Sequence, residues 1–394
     1  MKIQKDISQT HRPAGALRRL GALLLSVNVV ASQVFYLAIP LVAIPIVVFA
    51  QQEEVNGNQA LVNQDGAMNS AGILQQGGTD NTAEIFSSGS RNEATINQAG
   101  SGNQAFVNQY NDLVGEVGEL GNYYNPLDPN AVVEPGFLET LAANSANVTQ
   151  DGEGNFAQVN QDGVVNSASV AQTGISNEAF IDQVGDNLVV EVTQNGDGNR
   201  AVSSQDGMSN EITIAQTGNS SVATIEQVGF NNNVFVTQDS DDNEGTINQD
   251  GSVNTATLLQ EGGDGNFALI DQFGVNNTAD IIQNGSGNSA DITQSGTFNI
   301  ASITQNGSGN QASIAQDGYM NEGVIEQLGV GSIAEIIQNG IDNLASILQI
   351  GNGHNASITQ TGNNNIAEII QEGPTPQSIA VTQSGNQTFY IHQQ

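Results

Sequence analysis

An eleven-residue pattern recurs from near residue 56 to the C-terminus, and it narrows the folds open to this chain more than any other feature. Three consecutive copies show it. Asn288, Ala290, Ile292, Gln294 and Gly296 are followed by Asn299, Ala301, Ile303, Gln305 and Gly307, and then by Asn310, Ala312, Ile314, Gln316 and Gly318. The template is Asn-x-Ala-x-Ile-x-Gln-x-Gly-x-x, with Val or Leu at some Ile positions. It fits about five times between Asn56 and Gln109 and about 23 times from Asn144 onward. Several copies break the rule: Ser87 stands at a Gln position, Ser203 at an Ile position, Ile212 and Val234 at Ala positions, and His354 at an Asn position.

Asn, Ala, Ile and Gln occupy every second residue, so a β-strand turns all four to one face. Gly follows two residues after Gln, and two or three more lead to the next Asn, which predicts a tight turn tolerant of positive φ. Gly152, Gly285, Gly296, Gly307 and Gly318 are such predicted turn glycines. The eight prolines agree with this division. Pro13, Pro40 and Pro45 precede the repeats, Pro126, Pro129 and Pro135 lie between the two blocks, and Pro374 and Pro376 share one late turn. None falls in a predicted strand, as a hydrogen-bonded ladder requires.

The turns lack a regular Asn-Gly or Asp-Gly pair at hairpin spacing, which argues against antiparallel neighbours. Identical faces every eleven residues favour a coil of two strands, with residues i and i+22 stacked in parallel register. The predicted fold is all-β: a two-sheet parallel β-solenoid of stacked strand-turn-strand repeats, amyloid-like in its layering. Facing strands of one coil run in opposite directions, so Ala opposes Ile and the core keeps an even thickness. Glu178 and Arg200 both follow the Asn position and stand 22 apart. They are predicted to form an outward ion pair, with side-chain ends within about 8 Å.

The inward amides carry the strongest consequence. A primary amide in a dry core without partners costs roughly 2 to 7 kcal/mol. Stacked at the ≈ 4.8 Å spacing of adjacent strands, each amide donates to its counterpart above and accepts from the one below. The predicted ladder includes Asn155, Ala157 and Gln161 as well as the three copies above. One repeat is therefore unstable alone, and the end layers of a stack stay open to another copy unless capped.

Charge and composition exclude most other functions. Five of the seven basic residues and one acid precede residue 51, so the remainder holds 40 acids against Arg91 and Arg200, a formal charge of −38. Nucleic acid and anionic membranes need a basic surface. The chain has no Cys, which removes disulfides, thiol catalysis and thiolate metal sites. His354 and His392 are too few and too far apart to ligate one metal, and acid pairs such as Asp241-Asp242 arise by number alone among so many acids. Gly262 to Asn266 is similar to a calcium-binding nonapeptide turn, but the period here is eleven. No catalytic residue, cofactor or small-molecule substrate is indicated.

Residues 1–50 read as a secretory signal peptide: a basic start from Lys2 to Arg19, an apolar run from Val34, and Val48-Phe49-Ala50 before Gln51. An uncleaved membrane anchor is the alternative, since the apolar stretch approaches spanning length. The domain reading is then a short repeat block at 51–109, a non-repeat insertion at 110–143 and a long repeat block at 144–394. The insertion reads first as a tolerated surface loop, with an adhesive loop, a secretion-control element or a hinge as alternatives.

Several stretches carry the full spacing Gln-x-Gly-x-Gly-Asn-x-Ala-x-x-x-Gln, as in Gln150 to Gln161, Gln194 to Gln205, Gln283 to Gln294 and Gln305 to Gln316. In this the chain resembles curlins, the subunits of curli functional amyloid in bacterial biofilms. The resemblance covers most of 56–109 and 144–394. It implies export through an outer-membrane channel, polymerisation with other copies of itself on the cell surface, and a nucleator subunit as partner. The array is longer than that of the best-known curlins and is interrupted by 110–143, which leaves open a main-subunit, nucleator or specialised role. The expected function is a non-enzymatic, secreted fibre subunit for biofilm matrix and adhesion. A monomeric capped solenoid acting as a surface adhesin is the alternative, with Phe389, Tyr390 and Ile391 together with Pro374 and Pro376 as the cap.

Overall fold

The computed structural model describes residues 47–52, 57–67, 69–111 and 144–394. Among the described residues, twenty-nine strands run from Val47–Gln52 (β1) to Thr388–Gln393 (β29). Odd-numbered strands form one sheet and even-numbered strands the other, each pairing in parallel with the next but one. The pair Ser289–Thr297 (β20) and Gln311–Tyr319 (β22) shows the register: Ala290 meets Ala312, Ile292 meets Ile314 and Gln294 meets Gln316. This is the two-sheet parallel solenoid with 22-residue spacing that the repeat predicts.

Strand burial alternates because one face of each strand looks into the gap between the sheets. Ala and Ile columns from both sheets form a single continuous core. The opposition of Ala and Ile positions is visible where Ala is missing. A Cβ on Gly323 would lie 3.0 Å from Ile314 Cγ2, and one on Gly245 only 2.4 Å from Leu258 Cδ2. Leu258 thus fills space that the absent Gly245 methyl leaves, which keeps the packing dense.

The stack does not stop at the insertion. Glu93–Ser101 (β5) pairs with Ser145–Glu153 (β7), and Gln104–Tyr110 (β6) with Phe156–Val164 (β8). Ladder partners there are 52 residues apart instead of 22, so the extra thirty leave between two adjacent layers without shifting register. Residues 112–143 lie outside the described residues, as do residues 1–46 of the expected signal peptide. β1 spans Ala50, the expected cleavage point, and pairs with Ser70–Gln76 (β3). The glycine-rich stretch at Gly262 to Asn266 is a turn one residue longer than usual, and it takes the ladder spacing from 22 to 23.

The glycines after Gln depart from their expected place in the turn. Gly152, Gly296, Gly307 and Gly318 lie within the paired strands, and Gly285 directly follows Thr278–Asn284 (β19). Gly296 has φ 113°, and a Cβ there would sit 2.0 Å from the carbonyl oxygen of Gly318 in the next layer. The backbones approach so closely that no side chain fits at this position, whatever residue stands above it. The left-handed turn residue comes later, immediately before Asn, where Phe298 (φ 58°) and Met320 (φ 55°) occupy it. Gly296→Ala is expected to cost at least about 2 kcal/mol, from clash and strain together. Ser295→Ala, on the outward face, is expected to stay within about 0.5 kcal/mol. Denaturant midpoints of the soluble chain check both.

Candidate functional site

The inward amides form two kinds of column. In the glutamine column, Gln294 Nε2 donates to Gln316 Oε1 at 2.9 Å and to the Thr278 carbonyl at 2.9 Å. Gln161 donates likewise to Gln183 at 2.9 Å, Gln305 to Gln327 at 2.9 Å and Gln316 to Gln338 at 2.8 Å. Each of these glutamines is almost wholly buried. One hydrogen runs along the stack and the other ties the strand to the opposite sheet, so both donors are used. All of these amide-to-amide bonds point toward the C-terminal end.

The asparagines correct the expectation of one shared ladder. Asn299 Oδ1 accepts both the main-chain N–H and the Nδ2 of Asn321, each at 3.1 Å. Asn321 Nδ2 also donates to the Gly340 carbonyl at 3.1 Å. Asn155 Oδ1 accepts the Asn177 N–H at 3.0 Å, Asn288 Oδ1 accepts the Asn310 N–H at 3.1 Å, and Asn310 Nδ2 donates to the Gly329 carbonyl at 3.0 Å. Asn is one methylene shorter than Gln and sits where the chain leaves the turn, so its amide reaches main chain. Its side-chain bonds to the neighbouring Asn run toward the N-terminal end, opposite to the glutamines.

Departures from the template leave defects. Gln64 stacks beneath Ser87, whose side chain is too short to meet it, and both Gln64 amide atoms lack a partner. Ser87 Oγ donates instead to Gln109 Oε1 at 3.1 Å. Ser203 puts an unpaired hydroxyl into the Ile column. His354 is fully buried, with Nε2 3.2 Å from the Ile350 carbonyl and Nδ1 unpaired. His392 instead lies at the surface, 3.4 Å from Glu372. Leu188, which reading by template overlooks, fills an Asn position; it donates its N–H to Asn166 Oδ1 but returns no side-chain acceptor to the next layer.

On the outer surface, Arg200 Nε lies 3.3 Å from Glu178 Oε2, and its guanidinium sits 5.3 Å from the Phe180 ring centroid. Both charges are about half exposed, so the pair adds little stability. Asp291 carries a perturbation that the repeat does not reveal. Burial, and secondarily the charge of Asp271, raises its carboxyl above the ordinary range, and its Oδ1 has no hydrogen-bond partner.

The geometry defines a class: a repeat solenoid whose core chemistry asks for a matching layer on each side. The family description "Curlin associated repeat" matches residues 78–110, 152–185, 185–218, 209–239, 241–274, 263–296, 274–307, 285–318 and 340–373, more than half of the chain. The chain therefore belongs to the curlin-repeat family, whose members are structural rather than enzymatic. Comparison with curated proteins gives no match.

Ser87→Gln is expected to join Gln64 to Gln109 and stabilise the chain by about 1–3 kcal/mol, and Ser203→Ile by a similar amount through core filling. Unchanged denaturation midpoints would count against this account of the defects. For Asp291 the raised native pKa means that the folded state holds the proton more tightly than the unfolded state. This contribution therefore falls as pH climbs from the ordinary carboxylate value through the native one. Asp291→Asn is expected to stabilise at pH about 7 and to change little at pH about 3, as urea titrations at both values would show.

Proposed function

We propose that the chain is a secreted structural subunit that stacks head to tail into curli-type amyloid fibres, contributing to biofilm matrix and cell adhesion. The single direction of the buried glutamine column carries this reading. Glutamine amides donate to the next glutamine toward the C-terminal end, whereas asparagine Nδ2 donates both ways, to the preceding Asn and to a Gly carbonyl of the following layer. A second copy arriving head to tail meets the glutamine donors with glutamine acceptors. Head-to-head contact sets donor against donor and leaves buried amides unpaired, at a cost of about 1–3 kcal/mol each. Family membership supports extracellular assembly, export through an outer-membrane channel and a nucleator as partner.

One observation favours the capped monomeric adhesin. The last two strands, Ser378–Ser384 (β28) and β29, place Ile379 and Phe389 at Ala positions, and Phe389 is 46% exposed. A regular layer stacked above them meets bulk where the template has a methyl.

Seeded growth of purified residues 51–394 separates the two readings. The fibre reading expects growth from sonicated seeds and cross-β reflections near ~4.8 and ~10 Å. A soluble chain that neither seeds nor elongates establishes the cap instead. With a formal charge of −38 on residues 51–394, outward acids of adjacent layers stand within a Debye length, roughly 8 Å at physiological salt. Assembly is expected to be slow at neutral pH and low salt, and faster with salt, divalent cations or acid. A thioflavin time course indifferent to all three would refute the electrostatic part.

A further inference from the structure

The two rows of turns along the solenoid differ in chemistry. Turns leading from the even sheet to the odd sheet carry, in the position after the strand glycine, Met208, Phe230, Val275, Tyr319 and Ile341. The next position, the left-handed one, holds Val253, Phe298 and Met320 in the remaining turns and beside Tyr319. Seven successive turns therefore each present a large apolar side chain at the apex, and all eight of these side chains are exposed. Phe298 and Tyr319 pack edge to face across layers, with centroids 5.8 Å apart. Between exposed Ile175 and Val330, the same two positions on the opposite row hold Asp197, Asn219, Asp241, Asp264, Ser286 and Ser308, each followed by Gly, Ser or Asp.

Backbone strain makes the contrast sharper. On the polar row the left-handed position is Gly in most turns, including Gly198, Gly287 and Gly309. On the apolar row it is never Gly among the described turns, although Asn187, Asn231 and Asn276 show that a residue suited to this conformation fits there. Val253, at φ 60°, is β-branched. Bulky residues in this region cost of order 1–3 kcal/mol each. The fold tolerates that strain where it places apolar bulk at an exposed edge.

We infer that this edge is a lateral interface for a second copy of the chain, joined side by side. With Val228 and Phe273 beside the apex, ten exposed side chains offer about 80 Å² each, or about 800 Å², the area per partner of a standard stable interface. A patch of that size exceeds what monomers ordinarily expose. The row repeats at the layer spacing, so a two-fold copy brings an identical row whose side chains fit between layers. Asp197, Asp241 and Asp264 then lie on the far edge of each copy, while Asp206, Asp250, Asp317 and Asp342 stand among the apolar side chains of the paired edge and make the pairing tighter as salt rises. Pairing of this kind does not depend on head-to-tail stacking: soluble solenoids and fibres alike pair along it.

The triple variant Val253→Asn, Phe298→Asn and Met320→Asn tests it. Asn relieves the left-handed strain, so the variant is expected to fold at least as stably as the parent chain, read by denaturant midpoint. In sedimentation velocity on the soluble full-length chain, the parent is expected to dimerise, with the variant at least about tenfold weaker. In electron micrographs of any fibres, parent filaments are expected in pairs and variant filaments singly, with seeded elongation unchanged. A parent chain that stays monomeric and whose fibres run singly overturns the inference. So does a variant that pairs as tightly as the parent, or a monomeric parent that binds zwitterionic lipid vesicles through this edge.

Discussion

Every layer of this protein depends on satisfying primary amides that water cannot reach. A Gln or Asn buried among Ala and Ile is costly until a neighbour supplies both a donor and an acceptor. The stack supplies them by repetition: each glutamine finds the next glutamine one layer on, as Gln305 finds Gln327. The same requirement forbids a lone repeat, rewards length and leaves two chemically distinct ends. Ordinary solenoids are nearest-neighbour systems already. Here the coupling between neighbours is a directed hydrogen bond, which gives the stack a polarity as well as a period.

The turns are where Asn and Gly become interdependent. Asn accepts the main-chain N–H of the next layer and donates to a glycine carbonyl above, as Asn299 does to Asn321 and Gly318. That carbonyl lies where a Cβ on Gly296 would stand. Removing Asn uncovers that carbonyl, and a side chain in place of Gly collides with it, so the repeat keeps both in one register. Deviant positions show how much slack remains. Ser203, His354 and Leu188 each break a column in a single layer, and the columns resume on the far side. A long stack absorbs isolated defects because each touches only its two neighbours.

Charge and apolar surface are distributed by the same geometry. The inward face excludes ionised groups, so the acids fall on outward faces and turns, where water screens them. Asp291, half-buried near Asp271, marks the limit of that arrangement. Over seven successive layers exposed apolar side chains cap one row of turns, while the opposite row is polar from Asp197 to Ser308. A fibre built from such subunits presents two different edges along its length, one suited to contact and one to solvation.

Eleven-residue spacing and two-residue alternation were enough to determine the strands, their parallel register, the buried columns and the neighbourhood of Glu178 and Arg200. A side-chain period of two leaves only one face for Asn, Ala, Ile and Gln. Hydrogen-bond direction was not legible, because a pattern of letters does not say which way an amide donates; that depends on where the chain bends and how far each side chain reaches. Nor was the true place of the glycines, which the approach of one backbone to the next decides rather than turn propensity. Sequence position also hides the division between apolar and polar edges. Successive turns alternate between the two rows, and only coiling two strands per layer brings Phe230, Phe298 and Tyr319 onto one side and Asp197, Asp241 and Asp264 onto the other.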